Sequence, residues 1–305
     1  MKNAPRLVYF IGKGGVGKST LSVLTAIQLA VKNHPTRLVS LDPAHNLSDI
    51  LDLKLSTEPK QIQKNLTAQE VDLEGWIQRY LKRIEQQLQS SYRYLSSFNL
   101  DKQFAAVKLA PGMEEYGMLL AMQDILENCQ NSEFIIVDMP PTALTLRFLN
   151  LPQLSILWLQ KLSDLRKDIL HKKGIIQKVR LGHLQKDTDK LSIQLEKQLK
   201  FYKLMEEVWK SKRTLFNLVM NEDALSVAES GRVITQLRET GFSNIHLIVN
   251  KCSDNRVPEC CEAIPDIECS VIPSARISLH GLANLKRFLK ENSDLTNILL
   301  EPLKG

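Results

Sequence analysis

The segment Phe10-Ile-Gly-Lys-Gly-Gly-Val-Gly-Lys-Ser-Thr20 leaves the chain little choice of local fold. Within it Gly12, Lys13, Gly14, Gly15, Val16, Gly17, Lys18 and Ser19 satisfy the pattern G-x-x-x-x-G-K-[ST]. The glycines free backbone amides to curl around phosphate oxygens. Lys18 sets an ammonium on the β and γ phosphates, Ser19 offers a hydroxyl to Mg²⁺, and the helix continuing through Thr20 adds its positive N-terminal dipole. An apolar strand at 7–11 precedes the loop and an amphipathic helix at 21–31 follows it, which is the context the motif requires.

Short apolar runs bounded by turn residues recur at 38–41, 134–137, 215–219, 245–249 and 270–272, and read as buried strands. Helical patterning lies between them. Strand and helix in alternation imply an α/β fold, a doubly wound and mostly parallel sheet. Two stretches, 74–130 and 153–211, show charged helical patterning without a convincing strand, so 1–73, 131–152 and 212–305 make the core and these two make a helical subdomain inserted into it.

Composition adds bounds. Hydrophobic residues make up 43% of the 305, enough for a buried core. No apolar stretch approaches the roughly 20 residues that span a bilayer, and the reading is a cytoplasmic protein with at most peripheral membrane contact. The net charge of +6 conceals a local excess: residues 155–213 hold 15 Lys and Arg against 7 Asp and Glu, or +8, leaving −2 elsewhere. Such a face could meet nucleic acid, anionic lipid or an acidic partner, or simply be solvated.

The acidic partners of the loop come from two other strands. Asp42 ends the second apolar run, at the carboxyl edge where open α/β sheets bind ligands, and can orient water beside a γ-phosphate. Phe134-Ile-Ile-Val-Asp138 is an apolar run ending in a carboxylate, which places Asp138 near magnesium through water.

Lys13, directly after the first glycine, resembles the signature lysine of phosphate-loop ATPases that work as face-to-face dimers. The string Asp42-Pro-Ala-His-Asn-Leu-Ser-Asp49 resembles the first switch of the family that includes the arsenical pump-driving ATPase and the guided-entry ATPase for tail-anchored membrane proteins. That resemblance implies a homodimer binding ATP and Mg²⁺, in which Asp42 activates water, Asn46 lies near the γ-phosphate and Lys13 reaches the partner's nucleotide. It further implies that Asp223 approaches nucleotide across the dimer, that Asn250 reads adenine, and that Pro273 lies against the base. Residues 139–152 resemble the second switch, with Pro-Pro-Thr-Ala-Leu where the family more usually has Ala-Pro-Thr-Gly-His.

In the targeting branch a C-x-x-C pair from each subunit shares one zinc. This chain has instead the vicinal pair Cys260-Cys261 in roughly that loop, a poor match to two corners of a tetrahedron. The clustering of Cys252, Cys260, Cys261 and Cys269 suggests metal or redox chemistry more than structural disulfides. Met113, Met118 and Met122, with Leu157, are candidates to line a groove for a hydrophobic transmembrane segment.

The leading expectation is a homodimeric Mg-ATPase that couples dimer closure to its helices and targets hydrophobic tail-anchored segments, with a membrane receptor as a further partner. The alternatives are an arsenite or anion-transport ATPase subunit and a partitioning or positioning ATPase. The adenine-loop and switch matches weigh against the last, and against nucleic acid as a partner.

Overall fold

A computed structural model describes residues 5–44, 46–91, 107–108, 110–129, 131–181, 189–253, 264 and 267–303. The first elements are β1 (Arg6–Ile11), α1 (Lys18–Val31), β2 (Thr36–Ser40), α2 (Asn46–Leu51), β3 (Lys60–Gln63), β4 (Leu66–Glu70), α3 (Leu73–Ser91) and α4 (Met113–Glu127). They continue with β5 (Phe134–Asp138), α5 (Thr142–Leu181), α6 (Lys190–Lys210), β6 (Thr214–Met220), α7 (Ala224–Glu239), β7 (Ile245–Cys252), β8 (Cys269–Pro273), α8 (Leu282–Glu291) and α9 (Asp294–Leu300).

The chain divides into two compact units, 1–148 with 212–305, and 149–211. In the first unit the eight strands form one sheet in the order β3-β4-β2-β5-β1-β6-β7-β8. Every pairing is parallel except that of β3 with β4. The central strands are buried on both faces, and β5, β6 and β2 are buried along their whole length. This is why they read as continuous apolar runs rather than alternating ones.

Helix α1 lays Leu24 and Ile27 on Val8, Phe10, Leu38 and Ile136, and α8 and α9 close that face with Leu285, Phe288, Leu295 and Leu299. Full burial of each such side chain contributes about 1.5–3 kcal/mol. At β6, Tyr9 stacks on Phe216 with ring centroids 5.3 Å apart, and Phe216 meets Phe242 at 5.0 Å.

The six expected strands are all present. Two more, β3 and β4, were not expected, because their sequences Lys-Gln-Ile-Gln and Leu-Thr-Ala-Gln-Glu carry no apolar run. The helical segments 74–130 and 153–211 do not fall into one unit. Helices α3 and α4 lie in the first, packed so closely that a Cβ on Gly117 would stand 3.0 Å from Ile77.

The second unit holds the greater part of α5, which is 40 residues long with Pro152 inside it, and α6. Within it Arg166 grips Asp189 through Nε to Oδ2 at 3.0 Å and Nη2 to Oδ1 at 2.8 Å. The guanidinium, helped by the Ser192 hydroxyl, holds the Asp189 carboxyl well below the usual range. Leu195, Tyr202, Met205 and Trp209 are buried. By contrast Leu154, Leu157, Trp158, Leu165, Ile169 and Ile175 are exposed. At 3.6 residues per turn these six fall within an arc of about 120°, which they share with the exposed Lys161, Asp168 and Lys172. Among the described residues, no helix is long and apolar enough to cross a membrane.

Candidate functional site

The parallel register decides which loops meet. Phe10 pairs with Asp138 and Ser40 pairs with Asp138, so β1, β2 and β5 end level with one another. The chain leaving each of them emerges at the same carboxyl edge.

Between β1 and α1 the loop turns on glycines in left-handed or still rarer conformations. An added Cβ on Gly12 (φ 147) would fall 2.2 Å from the Val219 carbonyl oxygen, and one on Gly17 (φ 101) 2.3 Å from Nδ2 of Asn250. Only glycine tolerates such backbone and such approach. Gly14 and Gly15 are exposed and Val16 is buried. Ser19 and Thr20, half-buried, begin the helix with Lys18.

Lys18 is only 6% exposed, and its Nζ donates to the Lys13 carbonyl oxygen at 3.1 Å. Burial lowers its pKa, and the carboxylates of Asp138 and Asp42 resist that. Lys13 is half-buried, and its ammonium makes no hydrogen bond or ion pair among the described residues.

Asp138 is fully buried. Burial pushes its pKa up to about 7, against the pull of the Ser19 hydroxyl and the Lys18 ammonium. Its Oδ2 accepts from the Ser40 hydroxyl at 3.4 Å, whereas Oδ1 is buried without a hydrogen-bond partner. A buried, orphaned carboxylate oxygen costs free energy unless something completes it. Mg²⁺ fits here: Ser19 would hold it directly and Asp138 through water, with phosphate supplying the other ligands.

Ser40, missed in the sequence, joins the two acids. Besides donating to Asp138, its Oγ accepts from the Asp42 amide at 3.2 Å. Asp42 is 8% exposed; its Oδ1 accepts from the Ala44 amide at 3.0 Å, and Oδ2 has no partner among the described residues. Asn46 opens α2, which is fixed in place from β4: Glu70 accepts from the Ser48 amide at 2.9 Å and from its hydroxyl at 2.6 Å.

From β7 come two further contacts. Asn250 donates through Nδ2 to the Val16 carbonyl at 2.8 Å, and Lys251 donates to the Gly15 carbonyl at 2.8 Å. Lys251 was also missed, because strand alternation would send it to the opposite face from Asn250.

The other expected residues make their described contacts outside this constellation. Asp223 caps α7, accepting from the Ser226 amide at 2.9 Å. Pro273 ends β8 beside a cavity of about 680 Å³ lined also by Cys252, Ser274, Arg276 and Phe288; Asn250 does not line it. Met118 and Met122 are fully buried in the first unit, Met113 is half-buried, and Leu157 is 58% exposed in the second unit. Met118 and Met122 therefore pack in the core of the first unit. Their helical spacing carries no signal that separates a core face from an open groove.

Cys252 is a buried thiol and Cys269 is disulfide-bonded, where the clustering suggested metal or redox chemistry more than structural disulfides. Cys260 and Cys261, and with them the zinc site, lie outside the described residues. Among those described, no group of three or more His, Cys, Asp or Glu could hold a metal.

The profile of a family described as anion-transporting ATPase matches residues 5–272. The chain is 31% identical over 266 residues to a candidate arsenical pump-driving ATPase of Prosthecochloris vibrioformis, covering 82% of this chain and 62% of that one. It is 32% identical over 264 residues to the ATPase get3 of Schizosaccharomyces japonicus, covering 83% and 77%. With a second candidate arsenical pump-driving ATPase, from Aquifex aeolicus, identity is 26% over 302 residues, covering 93% and 98%. The chain thus spans less than two thirds of the Prosthecochloris relative but nearly all of the Aquifex one.

Proposed function

The chain belongs to the anion-transporting ATPase family, and from that premise we propose that it hydrolyses Mg-ATP at the loop of residues 12–19 as a homodimer. The observation that carries this reading is the set of two buried carboxylates, Asp42 and Asp138, joined by Ser40 at the mouth of a glycine-shaped phosphate loop. Lys18 exchanges its carbonyl partner for the β and γ oxygens. Asp42, with Oδ1 held by the Ala44 amide, keeps Oδ2 to accept a proton from the attacking water. Magnesium, when bound, neutralises charge on the phosphates.

Lys13 supplies the same service in trans, to the partner's nucleotide, and its ammonium, uncommitted among the described residues, supports that role. Asn46 lies near the γ-phosphate, and Asp223 approaches the nucleotide across the dimer. Asn250 spends Nδ2 on Val16 and leaves Oδ1 as an acceptor, which suits the exocyclic amine of adenine and not the O6 of guanine. Pro273 packs against the base.

The decisive variant is Asp42→Asn. Turnover should fall to background while ATP binding persists, and full hydrolysis by this variant would remove Asp42 from the role assigned to it.

For what the hydrolysis drives, the six exposed apolar side chains on α5 favour capture and targeting of hydrophobic tail-anchored segments over anion transport, since large apolar side chains in water favour a cover, with Lys161, Asp168 and Lys172 among them. A transmembrane-helix peptide that co-purifies with the ATP-loaded protein but not with a Leu157→Glu, Trp158→Glu variant supports this reading. Turnover stimulated by arsenite, with no peptide retained, would replace it with metalloid handling.

A further inference from the structure

The two ends of the phosphate loop and its tip are held differently. Gly12 and Gly17 are wedged against Val219 and Asn250, at 2.2 Å and 2.3 Å from an added Cβ. At Gly14 and Gly15 an added Cβ meets nothing within 4 Å. Packing therefore leaves the tip free. Among the described residues, the hydrogen bond that reaches this tip from elsewhere in the chain is that of the Lys251 ammonium to the Gly15 carbonyl, 2.8 Å long and spanning 236 positions of sequence.

How Lys251 comes to point there is unusual. Consecutive strand residues face opposite sides, yet Asn250 and Lys251 both reach the loop. The pairing of β7 with β8 slips between Val249 and Cys252, and Lys251 adopts φ 61 inside that bulge. The bulge turns the second side chain back onto the face of the first. Glycine would take this conformation without strain, whereas lysine does not. A strained lysine whose ammonium ends on a functional loop is an arrangement that function explains and packing does not.

We propose that Lys251 is a positioning residue: it clamps the tip of the phosphate loop so that the Gly14 and Gly15 amides are ordered before nucleotide arrives. The proposal rests on the reading of this loop as the ATP site. A pre-ordered tip spares the nucleotide the entropic cost of arranging those amides. Because the clamp acts through the loop and not on the reacting atoms, it strengthens ADP and ATP binding alike and leaves the chemical step to Asp42 and Lys13.

The test compares the full chain with Lys251→Gly, Lys251→Met and Lys251→Arg. Two readouts are needed: hydrogen exchange of the 14–16 amides without nucleotide, and affinity for fluorescent ADP and ATP analogues alongside KM and kcat. Lys251→Gly and Lys251→Met should exchange faster at the tip and bind both nucleotides about five- to tenfold more weakly. KM should rise in step, kcat should hold within about twofold, and Lys251→Arg should retain most of the affinity. Lys251→Gly should melt no lower than wild type, since it relieves the strained backbone.

Unchanged exchange at the tip, wild-type affinity in Lys251→Gly, or a loss confined to kcat would overturn the clamp. If the wild type binds no nucleotide while Lys251→Gly still speeds exchange, the ATP reading falls and the clamp stands.

Discussion

The carbonyl oxygen of Val219 occupies the space that a side chain on Gly12 would need, 2.2 Å from an ideal Cβ. Val219 lies within β6, a strand held between β1 and β7, and pairs with Ile248, so this oxygen is backbone that cannot step aside. At Gly17 the obstacle is the end of the Asn250 side chain, which can rotate away at the expense of its bond to Val16. Gly12→Ala should therefore destabilise by about 3 kcal/mol and Gly17→Ala by about 2. Thermal melting of the two variants checks the order; a milder effect at position 12 would contradict it.

Ser40→Ala removes the hydroxyl that donates to Asp138 and receives the Asp42 amide. One such bond, lost where both carboxylates must be held, is worth about 1.4 kcal/mol, or tenfold in rate. Steady-state kinetics should show that loss in kcat, and the melting temperature should fall with it, because the buried Asp42 amide and Asp138 carboxylate lose a partner.

A different kind of test lies at the far end of β2. Arg37 is 7% exposed, donates through Nε to Gln69 at 2.7 Å and through Nη1 to the carbonyl of Asn128 at 3.4 Å, where α4 ends. The guanidinium thus offsets the negative pole of that helix. Arg37→Met keeps the bulk but strands the buried Gln69 oxygen and the helix end, at a loss of about 2–3 kcal/mol. Urea unfolding should show it, while nucleotide affinity stays near wild type.

Those residues also mark what could be read from the chain in advance. Of the six expected strands, β8 showed only a short run, with Ile272 buried, and the other five were legible because each carries an apolar run that is buried on both faces. The β3–β4 pair was not, since Lys60 and Gln61 face water at the sheet edge and Glu70 is kept inside for Ser48. The phosphate loop, Asp42 and Asp138 were visible because phosphate chemistry fixes both residue type and spacing. Ser40 and Lys251 were not, because their importance arises from register and from a bulge, neither of which leaves a local pattern. The methionines at 118 and 122 show a suggestive composition on a face that is buried here.

His246 gives the clearest pH dependence. It is 2% exposed between Asn217 and Ser270; Nδ1 donates to Asn217 Oδ1 at 3.0 Å and Nε2 accepts from the Ser270 hydroxyl at 2.8 Å. This neutral form is satisfied, and burial lowers the pKa from 6.5 to about 4. Between those values the unfolded chain binds the extra proton and the fold does not. The contribution is therefore complete above about pH 6.5 and is lost as pH falls through 4, amounting to about 3 kcal/mol. Stability measured from pH 7 to 4 should decline less steeply in His246→Gln than in wild type; parallel curves would refute the assignment.

The bulge at Lys251 also has a meaning for comparing this chain with its kin. Between Val249 and Cys252 the ladder to β8 carries an irregularity, so the count of residues there sets which side chain faces the phosphate loop. A relative one residue shorter at that point would not merely have trimmed a connection. It would have exchanged one side chain for another at the nucleotide while every strand kept its place, and an alignment that absorbs the difference into the following loop would hide the substitution.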